Sequence, residues 1–493
     1  MSSVPTTGFA ISEYHDTAAI YRQVRELLAR PPLGLKPEAL QTYLRYYEEK
    51  CPKSKAAYEE ARQYIPGGVQ HNLAFTHPFP LMFTRCEGAA LEDADGNTYI
   101  DFLQAGGPTV LGSNPPAVRE QIEDLLRTCG PVTGLFHEYE LKLARFIAER
   151  FPAVEMFRML GSGTEACMGA IRLARVATGK KRIIKIGGAY HGWSDQLSYG
   201  MRIPGTRNFN SHGIPGHIFR YTHEVYPNDI AALKKRLQRN SLRGGTAAVL
   251  VEPLGGESGT RPVDKDYNAQ VRELCDHYGA LMVFDEVVTG FRIGMSGAQG
   301  YFGIKPDLTV FGKAVTGGYP SAGGLGGKRE YMEMLAGGVG GKAIKKKVHV
   351  GGTLAANPLS CAGGYFTLME MERVNACELA GHAGDRLTRG LQGLIEKHKL
   401  PYVAYNQGSI CHLETAGVLL MEIDLKQFWK IPSVLKEVEA RTKLMQEMGA
   451  AYMAEGLVTL SGSRLYTSAA CTDDIIDEAL VRFDRVLHNI EGV

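Results

Sequence analysis

Two kinds of apolar spacing alternate through the middle of this chain. Short, mostly apolar runs of strand length occur at Phe157–Leu160, Arg182–Ile186, Ala247–Val251, Leu281–Phe284 and Leu308–Phe311. Runs of this kind suit strands covered on both faces. Between them lie stretches with helical spacing. His137–Phe151 puts Leu141, Ala144, Phe146, Ile147 and Phe151 at helical intervals, Thr164–Thr178 follows the first run, and Asp266–Tyr278 stops at Gly279. Such alternation predicts an α/β architecture: a mostly parallel sheet covered by helices.

The flanks have a different rhythm. Thr17–Arg30 carries Ala18, Ile20, Tyr21, Val24, Leu27 and Leu28 at helical spacing, and Pro31-Pro32 ends it. Pro37–Glu49 and Ser54–Tyr64 repeat the pattern, so residues 1–65 read as a helical arm. That arm either adds stability alone, or packs on a partner subunit or over a site entrance. Leu91–Asp101 reads as a hairpin turning at Asp95-Gly96. Helices are expected at Leu359–Val374, Leu379–Lys399, Val434–Gly449 and Asp473–Ile490, and a short strand at Val418–Ile423. The resulting division is a large domain over residues 106–357 and a smaller α+β domain from 66–105 and 358–493. Met201–His217 and Ala336–Gly352 are rich in Gly and polar residues and read as mobile lids or solvated excursions. Lys345-Lys346-Lys347 reads as solvated.

Composition narrows the class. The chain has 493 residues, 44% hydrophobic and 22% charged, with a net charge of +2. No global field argues for nucleic acid or an anionic membrane. The nine cysteines form no CxxC pair, which argues against zinc ribbons and a disulfide framework and suits a reducing compartment. No basic segment followed by an apolar one opens the chain, and no run approaches the ~20 residues of a membrane span. The cytoplasm is the expected location.

The chemistry concentrates at two strand ends. One apolar run ends on Asp285-Glu286 and another on Gly312-Lys313. Open α/β sheets hold ligands beyond the carboxyl ends of their strands. A lysine there can form a Schiff base with an aldehyde cofactor, and an aspartate can hold a pyridinium nitrogen. Taken alone, the pair also describes a strand-end Asp and a surface Lys. The surrounding residues decide. Asp285-Glu286-Val287-Val288-Thr289-Gly290-Phe291-Arg292, Lys305-Pro306-Asp307-Leu308 and Gly312-Lys313 resemble the signature of the class III pyridoxal-phosphate (PLP) dependent aminotransferases. Within that class the likeness is to the glutamate-1-semialdehyde 2,1-aminomutase-like branch, and it runs from about Pro66 to about Asp477.

The resemblance implies a fold type I PLP enzyme with the following assignments. Lys313 carries the Schiff base and, once freed, moves a proton. Asp285 pairs with the ring nitrogen, and Val287 or Val288 packs on a ring face. Ser162, Gly163 and Thr164 form the phosphate cup at a helix N-terminus, where an ordinary N-cap is the alternative. Tyr190 stacks on the ring. Glu257 stands where the aminomutases have an asparagine near the ring oxygen, so it needs a proton or a donor partner. Thr353 reaches the phosphate of a neighbouring subunit, which implies a homodimer with shared active sites.

Two departures bear on substrate. After Gly67-Gly68-Val69 the aminomutases carry Ser and Arg, whereas this chain has Gln70-His71-Asn72 and no arginine. His71 and Asn72 are therefore substrate candidates. Arg464 falls where the aminomutase has an acidic residue. It either grips a substrate carboxylate or lies in a surface loop. The expected activity is a ping-pong aminotransferase moving an amino group from a carboxylate-bearing amino acid, a β- or D-amino acid among the candidates, to a keto acid or aldehyde. An aminomutase or racemase on the same scaffold is the alternative, and a PLP-binding protein without turnover is a third.

Overall fold

The computed structural model describes residues 8–130, 132, 134–207, 211–336, 346–422 and 431–492. The chain divides into two compact units, one of residues 1–116, 376–421 and 429–493, the other of 117–375 and 422–428.

The second unit is built on a seven-stranded sheet. Its order is Met156–Leu160, Gly323–Gly327, Leu308–Gly312, Leu281–Asp285, Thr246–Val251, Arg182–Ile186 and Thr222–Val225. Gly323–Gly327 runs antiparallel to both neighbours, and the strands from Leu308–Gly312 onward are parallel. This is the expected mostly parallel α/β core. Successive residues of one strand face opposite layers, as a period of two requires. Leu281 and Val283 join Ala166, Ala170 and Ile171 of the helix Gly163–Thr178. Met282 and Phe284 join Val271 and Cys275 of the helix Tyr267–Tyr278.

Gly323–Gly327 and Thr222–Val225 are strands that the apolar spacing did not announce. The sequence GGLGG disfavours a strand by propensity. Its glycines are needed for room. A methyl group on Gly323 would lie 2.4 Å from the carbonyl oxygen of Ser162, and one on Gly324 would lie 2.5 Å from the Phe157 ring. The glycine strand thus lets the start of the helix Gly163–Thr178 approach the sheet edge-on.

The first unit holds two smaller sheets. One has Phe83–Glu87, Ala90–Asp93, Thr98–Asp101 and Leu457–Val458; the other has Val403–Gln407, Ile410–Glu414 and Arg464–Tyr466. The hairpin is as expected, with Leu91 opposite Tyr99 and Gly96 at φ 89° in the turn. The strand expected at Val418–Ile423 is not found. Val418–Leu420 is a 3-10 turn entered through Gly417 at φ 65°, and residue 423 lies outside the described residues. An apolar run signals burial, not period: Leu420 is buried in the unit's core without a ladder. Helix Pro358–Arg373 belongs to the unit that holds the seven-stranded sheet. The arm forms helices Thr17–Leu28, Pro37–Lys50 and Pro52–Ala61. Ile20, Val24, Leu27 and Tyr43 join Leu387, Leu391 and Phe483 in one core, so the arm is integral to its unit. Residues 208–210 and 337–345, within the two Gly-rich stretches, lie outside the described residues. No described helix is long and apolar enough to cross a membrane.

Candidate active site

The adjacent acids at the end of Leu281–Asp285 have opposite fates. Glu286 is turned into protein and saturated: it accepts from Thr289 Oγ1 at 2.8 Å, Ala298 N–H at 2.7 Å, and Gln299 N–H at 3.0 Å. It anchors the start of the helix Gly297–Phe302. Asp285 points the other way, as the two-residue period predicts. Its Oδ1 accepts the N–H of Val287 at 3.1 Å. Its Oδ2 lies 2.7 Å from Nδ1 of His191 and 3.5 Å from Sγ of Cys167.

The protonation of this cluster follows from burial. Desolvation pushes the His191 imidazole below its usual range and the Cys167 thiol well above its own. Both are neutral, so His191 donates through Nδ1–H and Cys167 through S–H. A carboxylate offers about four lone-pair sites, and three are filled here by neutral donors. The remaining acceptor site suits a further donor. A protonated pyridine nitrogen meets that need, and in this respect the residues fit PLP.

Lys313 follows the neighbouring parallel strand, in which Val310 is opposite Asp285. It opens a 3-10 turn with φ 46°, a left-handed conformation that a lysine adopts only under constraint. Val287 lies between two backbones: a methyl group on Gly163 or on Gly312 would come within 2.8 Å of it. Val288 follows in the same turn and is half-buried. Ser162 caps the helix Gly163–Thr178, accepting from Glu165 N–H at 3.3 Å. Gly192, at φ 84°, approaches Thr164 so closely that a methyl group there would sit 2.2 Å from Oγ1. Thus Ser162, Gly163, Thr164, Val287, the Tyr190–Gly192 segment and Asp285 are drawn together around the ends of the parallel strands.

Two buried ionisable groups hold the loops that carry these residues. Lys185 is wholly buried, and its Nζ donates to the carbonyls of Ala189 and Leu197, both at 3.0 Å. It clasps the two ends of the segment containing Tyr190 and His191. Burial pulls its pKa down to about 8. Glu252 accepts the N–H groups of Tyr190 at 2.8 Å, Glu257 at 3.1 Å and Ser258 at 2.8 Å. Glu257 and Ser258 both have left-handed φ, 56° and 60°, so Glu252 also pins a strained turn. Burial, and then the charges of Asp285 and Glu257, push its pKa up to about 8. Glu257 has an ion-pair neighbour: Nε of Arg202 lies 3.7 Å from its Oε1.

The remaining candidates divide between the two units. Thr353 is exposed in a turn. His71 and Asn72 are exposed and belong to the other unit, where His71 Nδ1 accepts the N–H of Leu73 at 3.1 Å. Arg464 is in that unit too. It is not in a surface loop but buried on a strand, opposite His412. His191, Cys167, Lys185 and Glu252 were missed as functional residues. The signals for two of them were local: His191 adjoins Tyr190, and Cys167 lies one helical turn after Gly163 on the same face.

The family model described as Aminotransferase class-III matches residues 74–487. A glutamate-1-semialdehyde 2,1-aminomutase of Desulforapulum autotrophicum is 35% identical over 443 residues, which cover 87% of this chain and 96% of that relative. Among solved structures, an omega-transaminase from Sphaerobacter thermophilus aligns with a TM-score of 0.77 at 26% identity, covering 90% of this chain and 99% of that one. A β-phenylalanine aminotransferase from Variovorax paradoxus aligns with a TM-score of 0.77 at 27% identity, covering 92% and 97%. The chain belongs to the class III aminotransferase family, and its cofactor is pyridoxal 5'-phosphate.

Proposed function

We propose that this enzyme is an aminotransferase, moving an amino group from an amino acid to a keto acid or aldehyde in ping-pong fashion. The observation that carries the reading is Glu257 with Arg202 beside it, in place of the aminomutase asparagine. The missing arginine after Gly68 points the same way.

Bound pyridoxal phosphate supplies an aldehyde that takes up amines and a ring that withdraws electrons. Lys313 would hold it through its amine and, when displaced by substrate, carry a proton. Asp285 would hold the ring nitrogen, Tyr190 and Val287 or Val288 would pack on the ring, and Glu257, with Arg202 beside it, would face the ring oxygen. Ser162, Gly163 and Thr164, at a helix N-terminus, hold the phosphate. Thr353, exposed here, supports a homodimer in which it completes the partner's phosphate site. The substrate class proposed is a carboxylate-bearing amino acid, with a β- or D-amino acid favoured. The likeness to a β-phenylalanine aminotransferase supports this. His71, Asn72 and Arg464 are the substrate contacts assigned to it. Nine cysteines without a disulfide support a cytoplasmic location.

An aminomutase is the second reading, favoured by the 35% identity to one over most of the chain. A half-reaction separates them. One amino donor is added to the PLP form, and cofactor absorbance and released keto acid are followed. Stoichiometric keto acid is expected. Net interconversion of a single substrate with no co-substrate overturns the aminotransferase reading.

A further inference from the structure

The carboxylate of Asp285 is held at three points by groups that belong to three different elements. Val287 N–H grips Oδ1 from the strand's own turn. His191 grips Oδ2 from the loop after Arg182–Ile186. These two contacts use one lone pair on each oxygen and leave one free on each. The third contact is Cys167 Sγ, 3.5 Å from Oδ2 and wholly buried on the helix Gly163–Thr178.

We propose that Cys167 is a positioning residue for the cofactor-binding carboxylate: its S–H fills the second lone-pair site of Oδ2, leaving the open site of Oδ1 for the cofactor's ring nitrogen. This rests on the assignment of Asp285 to that nitrogen. The thiol can donate because burial keeps it protonated. Packing is the competing role, since Cys167 also lines the apolar core beside Ala166 and Ala170. The two roles demand different replacements. A packing role is served by valine, which fills the space without a donor. A positioning role is served by serine, which keeps a donor and loses a little volume.

The test uses the full-length protein stripped of cofactor and reloaded. Affinity for pyridoxal phosphate is read by equilibrium dialysis, and the pH midpoint of the bound cofactor's visible band by titration. Cys167→Val and Cys167→Ala are expected to weaken affinity about three- to tenfold, the worth of one modest hydrogen bond, and to move the midpoint. Cys167→Ser is expected to stay within about twofold of the parent with an unmoved midpoint. Val matching the parent while Ser is weakened overturns the proposal in favour of packing. So does a series in which Val and Ala both match the parent, whether or not the Ser variant folds. Asp285→Asn is run beside them. Unchanged affinity there overturns the assignment of Asp285 itself. Weakened affinity there, with a flat Cys167 series, overturns the thiol's role alone.

Discussion

Two clusters of buried ionisable groups lie near the ends of the parallel strands, and they follow opposite plans. Around Asp285 one carboxyl group is surrounded by neutral donors: the Val287 amide, the His191 imidazole and the Cys167 thiol. These three partners carry no formal charge. Around Lys185 and Glu252, an amine and a carboxyl whose pKa values burial draws together near 8 are each spent on backbone. A buried charge costs free energy unless something answers it. The first cluster reserves its answer for a ligand. The second answers itself, and in doing so fixes the loops that carry Tyr190, His191 and Glu257. One region binds; the other positions.

That contrast predicts which variants lose chemistry and which lose only order. Lys313→Ala has the largest effect: turnover is abolished while the fold and thermal midpoint are kept. Near-parent turnover by this variant would remove Lys313 from the reaction. Asp285→Asn comes next. It removes the charge but keeps the shape, leaving a cationic ring nitrogen unpaired. Breaking a buried pair costs about 3 kcal/mol or more, so kcat/KM is expected to fall at least about a hundredfold.

Lys185→Met tests the other cluster. The methionine fills the space of the lysine stem and leaves the carbonyls of Ala189 and Leu197 without their shared donor. Charged hydrogen bonds are worth about 1.5–3 kcal/mol each, offset here by the desolvation that the lysine no longer suffers. Affinity for pyridoxal phosphate is expected to drop about tenfold through a faster off-rate, because the loop bearing Tyr190 and His191 loosens. A drop as deep as that of Asp285→Asn would erase the distinction between binding and positioning groups.

The two plans were unequally legible in the sequence. Asp285 and Lys313 could be read because each closes an apolar strand run, and because their neighbours carry a family signature. The hairpin could be read because Asp95-Gly96 has turn chemistry. Lys185 looked like a polar interruption in RIIKI; only the fold shows it buried and turned onto two carbonyls. Gly323–Gly327 could not be read as a strand, because its glycines answer to Ser162 and Phe157, far away in the chain. Cys167 meets Asp285 across 118 residues, and no spacing rule reaches that far. The apolar run at 418–420 misled for the converse reason: burial without a ladder looks like a strand when only hydrophobicity is visible.

The smallest effect is the most diagnostic of the positioning cluster. The Glu252 carboxyl is raised from its ordinary 4.5 to about 8, chiefly by burial. The folded protein therefore holds a proton there that the unfolded chain releases. Stability from this group is fully present below pH 4.5 and is lost as pH climbs to about 8. Lys185 is lowered from 10.5 to about 8 by the same burial. Its contribution has the other sign: it is fully present above pH 10.5 and is lost as pH falls to about 8. The windows meet without overlapping. Glu252→Gln keeps one acceptor oxygen and cannot titrate, so the parent's thermal midpoint relative to this variant should decline between pH 5 and 8 and then level off. Lys185→Met should leave that decline in place and remove a rise above pH 8. A parent-minus-variant profile that is flat for Glu252→Gln would mean that the loop-holding acid is ionised throughout, and that both clusters answer charge in the same way.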